Sequence, residues 1–110
     1  PLRLVGSEMC IRDRYNISKA ADVMIVKNIA TEFGHKNIRA NSIAPGLIKT
    51  DFAKALWENP EILKSVLGTT PMKRIGEPHE IAGVAVMLAS DAGNYINGQT
   101  IVVDGGTTIA

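Results

Sequence analysis

The longest amphipathic pattern in the chain runs from Asn16 to Phe33 and predicts a helix that ends at Gly34. Its apolar residues recur three or four positions apart and form two stripes. The first stripe contains Ile17, Ala21 and Met24, and the second contains Ile25, Ile29 and Phe33, with Val23 and Val26 nearby. One stripe is enough for a helix on a domain surface. Two stripes therefore predict packing on a sheet and on a second helix, which belongs either to the same chain or to a partner subunit.

The segments after Gly34 predict two short strands separated by helices. Asn37 to Gly46 predicts a strand that ends at Pro-Gly, and Thr50 suits the N-cap of a helical segment that begins at Asp51. The other predicted elements are two short helices between Thr50 and Leu67, broken at Asn59-Pro60 and ended by Gly68; a helix from Pro78 to about Ala89 with Ile81, Val84, Ala85 and Leu88 buried; and a strand from Thr100 to Val103. The last strand is apolar throughout, which predicts that both of its faces are covered.

Composition narrows the class of protein. The chain has 110 residues and a mass of 11.8 kDa, which allows at most one domain, and its 45% hydrophobic and 21% charged residues indicate a globular protein. A formal net charge of +1 gives no attraction to nucleic acid or to an anionic membrane. No apolar run reaches the ~18 residues of a membrane span, and the single cysteine, Cys10, excludes a disulfide framework. We therefore expect a soluble cytoplasmic protein with neither nucleic-acid nor membrane partners.

Tyr15 and Lys19 are the first candidate for chemistry, because a spacing of four places them on one face of a helix. A free tyrosine has a pKa of about 10. A lysine cation about 5 Å away favours the phenolate by about 3 kcal/mol, which lowers the tyrosine pKa by roughly two units. Tyr15 could then act as a general acid or base near neutral pH. The alternative is a surface tyrosine beside a solvated lysine.

Three motifs share an order and spacing that resemble the C-terminal half of a short-chain dehydrogenase/reductase. They are Tyr15-x-x-x-Lys19, Pro45-Gly46-x-Ile48-x-Thr50, and Asn97-Gly98 followed by Val103-Asp104-Gly105-Gly106. The resemblance implies an α/β fold, namely the C-terminal part of a Rossmann-like, doubly wound parallel sheet with flanking helices. It assigns residues 15–110 to that domain. Residues 1–14 do not match the family, and residues 5–14 resemble a translated sequencing adapter, so we expect that segment to be foreign.

The same resemblance assigns roles in a site for NADP or NAD, with NADPH favoured. Tyr15 exchanges a proton with the substrate oxygen and is also a cofactor-binding residue. Lys19 lowers the tyrosine pKa and binds the nicotinamide ribose. Pro45 and Gly46 let the backbone approach the nicotinamide ring. The backbone of Ile48 binds the carboxamide, and the Thr50 hydroxyl binds the carboxamide or a phosphate. For Pro45-Gly46 the alternative is an ordinary turn, and for Thr50 it is an ordinary N-cap. Asp104-Gly105-Gly106 is interpreted as a turn without chemistry.

The implied reaction is reversible hydride transfer between NAD(P)(H) and a small-molecule carbonyl or secondary alcohol. The stretch from Ala44 to Trp57 is most similar to broad-specificity carbonyl reductases of the family. Two alternatives stay open: a 3-oxoacyl-carrier-protein reductase, and a non-catalytic half-domain that pairs with another subunit of the family. The full-length protein is expected to be a homo-oligomer, either a dimer or a tetramer.

Several parts of the family's site would lie before Tyr15 and have no match in this chain. They are the glycine-rich loop that binds the pyrophosphate, the residue that selects NAD or NADP, and the catalytic Ser and Asn. We therefore expect the 110 residues alone to be inactive. No metal site is predicted, because His35 and His79 lack a Cys or carboxylate at metal-ligand spacing.

Overall fold

The computed structural model describes the backbone of residues 6–109 and the side chains of residues 17–108. The expected foreign segment 1–14 and the side chain of Tyr15 therefore lie outside the described side chains. The helices are α1 (Gly6–Phe33), α2 (Lys54–Trp57), α3 (Pro60–Thr69) and α4 (Pro78–Ala89), and the strands are β1 (Ser42–Pro45) and β2 (Thr100–Val103). Single 3₁₀ turns occupy Gly34–Lys36, Asp91–Gly93 and Thr107–Ile109.

Strands β1 and β2 are parallel. The Ser42 amide donates to the Gln99 carbonyl at 2.8 Å, and the Gly46 amide donates to the Val103 carbonyl at 2.9 Å, so both bonds join residues with the same offset in the same direction. The described residues contain this one two-stranded sheet. Helices α2 to α4 lie between the two strands in the chain, as a parallel connection requires. The predicted α/β organisation is confirmed, although β1 is shorter than the strand expected over residues 37–46.

Backbone contacts divide the chain into two units, the first comprising Pro1–Ser42 with Asn97–Gln99. In this unit the Asn97 side chain links α1 to the segment before β1. Its Oδ1 accepts a hydrogen bond from the Ala40 amide at 3.0 Å, and its Nδ2 donates to the Ala30 carbonyl at 3.1 Å. Gly98, at φ 74°, follows with a Cβ position only 3.2 Å from the Ala30 Cβ. The Asn-Gly dipeptide therefore supplies both the amide and the space for this contact.

The second unit comprises Ile43–Ile96 with Thr100–Ala110, and its helices α3 and α4 begin where proline and capping residues predict. The Asn59 side chain accepts hydrogen bonds from the amides of Glu61 and Ile62 at 3.0 and 3.3 Å, and Pro60 is the first residue of α3. Pro78 opens α4 in the same way. The predicted break at Asn59-Pro60 and the predicted bounds of α4 are confirmed.

The expected end of α1 at Gly34 is confirmed, since the helix stops at Phe33, whereas the expected end of α3 at Gly68 is wrong by one residue. Gly34 does not take the left-handed conformation at the end of α1; it begins a 3₁₀ turn, and Asn37 has the positive φ of 60° instead. The Asn37 amide bonds to the Gly34 carbonyl at 3.0 Å, which ends the turn. Gly68 lies inside α3, which ends one residue later at Thr69, and its backbone does not take the left-handed conformation of a typical helix-ending glycine.

The expectation that both faces of β2 are covered is also wrong for the described residues. Side chains alternate between exposed and half-buried along the strand, and Val102 is 49% exposed. Helix α1 is also less covered than predicted. Its half-buried or buried side is formed by Val23, Val26, Ala30 and Phe33. Both predicted stripes are largely exposed, with Ile17 at 69% and Ile25 at 54%. Of the expected α4 stripe, Ala85 is exposed and the other three residues are half-buried.

We predict that the 110-residue chain expressed alone will aggregate or remain molten. Among the described side chains Ala30 is the one buried apolar residue, and open strand edges promote association. Thermal unfolding followed by circular dichroism, together with light scattering, tests this. A cooperative transition from a soluble monomer would contradict it.

Candidate functional site

A cavity of about 300 Å³ in the second unit is lined by three of the predicted cofactor-binding residues, Pro45, Gly46 and Ile48. Three segments surround it: the end of β1 with the loop that follows, the connector from α3 to α4, and the turn after β2. Glu80 of α4 also lines the cavity, and the main lining residues from the three segments are Ala44, Leu47, Thr70, Met72, Arg74, Ile75, Gly76, Val103, Asp104 and Gly105. The wall is mostly apolar with a few polar groups, as in many small-molecule sites.

Gly46 packs directly on the backbone of Asp104. A Cβ at position 46 would lie 2.7 Å from the Asp104 Cα and 2.8 Å from its Cβ, closer than two non-bonded carbon atoms approach in proteins. The Gly46 amide also donates to the Val103 carbonyl at 2.9 Å. The sequence-based expectation was that glycine here allows a ring to approach. The structure shows a different and sufficient reason for the glycine, which is its contact with the turn after β2.

The turn after β2 is held by the Asp104 carboxylate. Its Oδ1 accepts from the Gly106 amide and its Oδ2 from the Thr108 amide, both at 2.9 Å. Burial opposes ionisation of this carboxyl, but the hydrogen bonds from Thr108 and Gly106 outweigh it and leave the pKa below its ordinary value. Gly105 and Gly106 have φ values of 64° and 91°, which favour glycine. The turn predicted for Asp104-Gly105-Gly106 is present, and it forms one wall of the cavity.

Ile48 forms an isolated parallel bridge with Gly76. The Gly76 amide donates to the Leu47 carbonyl and the Lys49 amide donates to the Gly76 carbonyl, both at 2.9 Å. A Cβ at Gly76 would lie 2.6 Å from the Ile48 Cδ1 and would displace that side chain. Within the described part of the chain, no hydrogen bond is formed by the Ile48 amide N–H. Ile48 thus presents a fixed backbone donor beside the cavity.

An ion pair supports the residues on both sides of Gly76. The Arg74 guanidinium donates two hydrogen bonds to Glu80, Nη1 to Oε2 at 2.8 Å and Nη2 to Oε1 at 2.7 Å. Glu80 Oε2 also accepts from the Glu77 amide at 2.8 Å, as part of a capping box at the start of α4. The hydrogen bonds from Arg74 and then from Glu77 lower the pKa of Glu80 to about 2. The sequence analysis missed this pair, although an Arg three residues before the N-cap of a helix whose N3 residue is Glu would have suggested it.

Thr50 uses its polar groups locally. Its Oγ1 accepts a hydrogen bond from the Ala53 amide at 3.3 Å, and its carbonyl accepts one from Trp57 Nε1 at 2.9 Å. Lys49 Nζ lies 5.2 Å from the centre of the Trp57 ring. Helix α2 begins at Lys54 with Ala53 as its N-cap residue, so Thr50 closes the turn before α2 rather than capping a helix from Asp51. It is not one of the residues that line the cavity.

Lys19 lies in the first unit, on the exposed surface of α1. Its Nζ is 3.8 Å from Asp22 Oδ2, and the two side chains are 58% and 63% exposed, which makes a weak pair. Tyr15 lies one turn earlier in the same helix, and its side chain is outside the described residues. The helical spacing of the two positions is thus present, while the distance from phenol to ammonium stays a prediction.

The described residues contain no group of three or more His, Cys, Asp or Glu side chains that could hold a metal ion. None of their helices is long and apolar enough to cross a membrane.

Comparison with known proteins identifies the family. The family model described as enoyl-(acyl carrier protein) reductase matches residues 4–108. Dehydrogenase/reductase SDR family member 4 of Bos taurus is 46% identical over 93 residues, which cover 84% of this chain and 33% of the relative. The chain belongs to the short-chain dehydrogenase/reductase family. Members of this family are NAD(P)-dependent oxidoreductases, and this chain spans about a third of the length of the curated relatives it matches.

Solved structures of short-chain dehydrogenase/reductases confirm the fold. Gluconate 5-dehydrogenase from Burkholderia cenocepacia in complex with NADP and tartrate superposes with a TM-score of 0.82 at 36% identity, covering 87% of this chain and 38% of that one. For 4-hydroxyisoleucine dehydrogenase complexed with NADH the TM-score is 0.84 at 34% identity, with coverage of 87% and 40%. The predicted partial Rossmann-like sheet with flanking helices is therefore confirmed.

We predict that Gly46→Ala destabilises a full-length enzyme containing this chain by about 1–3 kcal/mol, because the new methyl group meets the Asp104 backbone. The matched control is Gly68→Ala in α3, where nothing lies within 4 Å of the added Cβ. That change should stabilise the helix by about 0.5–1 kcal/mol. Denaturant unfolding of both variants gives the comparison, and equal effects of the two changes would contradict the proposed contact.

The Glu80 carboxyl should remain ionised well below its ordinary pKa of 4.5. Because its pKa in the folded protein is lowered, its contribution to stability is complete above the unfolded pKa and is lost as the pH falls from 4.5 toward about 2. A ¹³C NMR titration of the glutamate carboxyl carbons measures this, with Arg74→Met as the comparison. In that variant the midpoint should rise toward the ordinary value, and coincident titration curves would count against the pair.

Proposed function

We propose that this chain is the C-terminal part of an NAD(P)-dependent carbonyl reductase or alcohol dehydrogenase, and that it binds the nicotinamide end of the cofactor. The observation that carries the proposal is the cavity beside the free Ile48 amide, bounded by the Pro45-Gly46 motif. A carboxamide has an oxygen that an amide N–H can bind, and a flat ring suits a largely apolar wall. The residues present therefore fit this part of NADP or NAD. The preference for NADPH follows only from the resemblance to carbonyl reductases of the family.

Each proposed cofactor contact comes from a group of this chain. Ile48 binds the carboxamide through its backbone, and Pro45 and Gly46 form the adjacent wall. Lys19 holds the nicotinamide ribose through its ammonium group. Thr50 also contributes its hydroxyl. Its Oγ1 can keep accepting from the Ala53 amide at 3.3 Å, while its hydrogen exchanges the Ile48 carbonyl, 3.5 Å away, for an acceptor atom of the ligand.

Proton transfer is assigned to Tyr15. The cofactor supplies or accepts the hydride at the substrate carbon. In the direction of reduction, the Tyr15 hydroxyl gives its proton to the carbonyl oxygen, which becomes the alcohol; in oxidation, the phenolate removes that proton. Lys19 stabilises the phenolate and so brings the tyrosine pKa closer to neutral pH.

The substrate class proposed is a small carbonyl compound or secondary alcohol. Two similar solved structures, 4-hydroxyisoleucine dehydrogenase and gluconate 5-dehydrogenase, are named for small hydroxy compounds and favour this class. The description of the matching family model names acyl carrier protein and supports the alternative of 3-oxoacyl thioesters. NADPH oxidation by a full-length enzyme, assayed with aromatic ketones and with 3-oxoacyl thioesters, separates them. Turnover of the thioesters alone would overturn the first assignment.

We also propose that the full-length protein is a cytoplasmic homo-oligomer. The exposed stripes of α1, which include Ile17 and Ile25, are the surface that a second subunit would cover. The alternative of a non-catalytic half-domain uses the same surface. The assignment of residues 1–14 as foreign stays a prediction, and the gene upstream of Tyr15 decides it: an in-frame glycine-rich strand-turn-helix would identify a truncated reading frame.

Tyr15→Phe in the full-length enzyme should lower kcat by about 10²–10⁴-fold with cofactor binding nearly unchanged, because the ring is kept and only the proton donor is lost. Tyr95→Phe, at a fully exposed tyrosine, is the control and should have no effect. Near-normal turnover in Tyr15→Phe would show that the assignment of the catalytic residue is wrong.

Lys19→Ala should weaken cofactor binding and lower kcat together, since one ammonium group serves both the ribose and the phenol. The pH at which the oxidative rate rises should move upward, toward the ordinary tyrosine value of about 10. Lys27→Ala, on an exposed position of the same helix, is the matched control. An unchanged pH profile in Lys19→Ala would remove the proposed coupling between the two residues.

A further inference from the structure

The Arg74–Glu80 pair joins the connector that carries Gly76 to α4, and Gly76 is the bridge partner of Ile48. Both charged residues line the cavity. The pair is therefore close to Ile48, the proposed carboxamide-binding residue, but forms no hydrogen bond with it. It has a geometry that most surface pairs lack, because two parallel hydrogen bonds of 2.8 and 2.7 Å join the guanidinium to the carboxylate.

Glu80 fixes the connector at two points. Its carboxylate holds Arg74, two residues before Gly76, and it accepts the amide of Glu77, one residue after Gly76. Because Glu80 belongs to α4, both bonds tie the connector to a regular helix. The backbone of Gly76, which lies between these two points, therefore has little conformational freedom.

Gly76 passes this constraint to the loop after β1. Its amide and carbonyl bond to Leu47 and Lys49, the two neighbours of Ile48. With its neighbours held, the Ile48 peptide keeps one orientation, and its amide N–H stays available to a ligand. A misplacement of about 1 Å in such a group is enough to cost a large factor in binding or rate.

We propose that Arg74 and Glu80 are positioning residues, which fix the Ile48 backbone for the cofactor carboxamide by way of Gly76. The inference rests on the proposed function, since it takes Ile48 to bind the cofactor. It adds two residues that belong to neither the Tyr15-Lys19 motif nor the Pro45-Gly46 motif.

The test uses a full-length enzyme and the variants Glu80→Gln, Arg74→Met and Arg74→Lys. Glu80→Gln keeps an oxygen that can accept the Glu77 amide and loses the charge that holds Arg74, so it isolates the ion pair. Arg74→Lys keeps the charge and loses the paired geometry, and it should give an intermediate effect. Glu58→Gln is the matched control, because it breaks the exposed Lys54–Glu58 pair at 3.5 Å, which does not line the cavity.

Two readouts are needed. Hydrogen exchange at the Gly76 and Lys49 amides, measured without cofactor, should accelerate about tenfold in Glu80→Gln and Arg74→Met. A factor of about ten corresponds to the net stabilisation that roughly one hydrogen bond provides. The KM for NADPH should rise by a similar factor of about ten, while kcat at saturating cofactor changes much less. A role limited to overall stability would lower the melting temperature and leave the KM for NADPH unchanged.

Unchanged exchange at both amides would overturn the positioning role, whatever the kinetics. Faster exchange with an unchanged KM for NADPH would also overturn it, because the loop would then be held by the pair without serving the cofactor. Failure of the proposed function is a separate result: the wild-type enzyme would show no NAD(P)H-dependent turnover, while the exchange measurement would still report whether the pair constrains the loop.

Discussion

The contact of the Gly46 backbone with Asp104 is the constraint on which the arrangement of the second unit depends. It brings the end of β1 against the turn after β2 at a distance that leaves no room for a side chain. The Gly46–Val103 hydrogen bond fixes the register of the two strands at the same place. The Asp104 carboxylate then holds its own turn through Gly106 and Thr108, so the partner surface for Gly46 is itself rigid. One cavity wall is built from these bonds.

The opposite side of the cavity is held in a different way. Ile48 follows Gly46 by two residues and is bridged to Gly76, whose connector is bound to α4 through Arg74 and Glu80. Each side of the cavity thus has a glycine for a steric reason. A Cβ at Gly46 would meet the Asp104 backbone, and a Cβ at Gly76 would meet the tip of the Ile48 side chain. The loop that carries Ile48 is therefore fixed at both ends by backbone hydrogen bonds. A site that must orient a carboxamide needs such a donor, held in place before the ligand arrives.

The elements that could be predicted from the sequence are those with a local cause. Pro60 and Pro78 begin helices because proline suits the first helical position, and the Pro-Gly and Asp-Gly-Gly segments end strands. The features that were not predicted have separate causes. The end of α1 at Gly34 was predicted correctly, but the 3₁₀ turn that follows, and its left-handed residue Asn37, were not. The reason for Gly46 could not be found from its own segment, since Asp104 is far away in the chain. The Arg74–Glu80 pair was missed because neither residue belongs to a motif of the resembled family.

A crystal structure of the full-length enzyme with NADP and a carbonyl compound tests the central claim most directly, which is that this chain binds the nicotinamide and transfers the proton. The account predicts that the Ile48 amide nitrogen lies about 3 Å from the carboxamide oxygen, with Lys19 Nζ on the nicotinamide ribose and the Tyr15 hydroxyl on the substrate oxygen. A nicotinamide ring bound away from the Pro45-Gly46 segment, or a substrate oxygen beyond hydrogen-bonding reach of Tyr15, would contradict it.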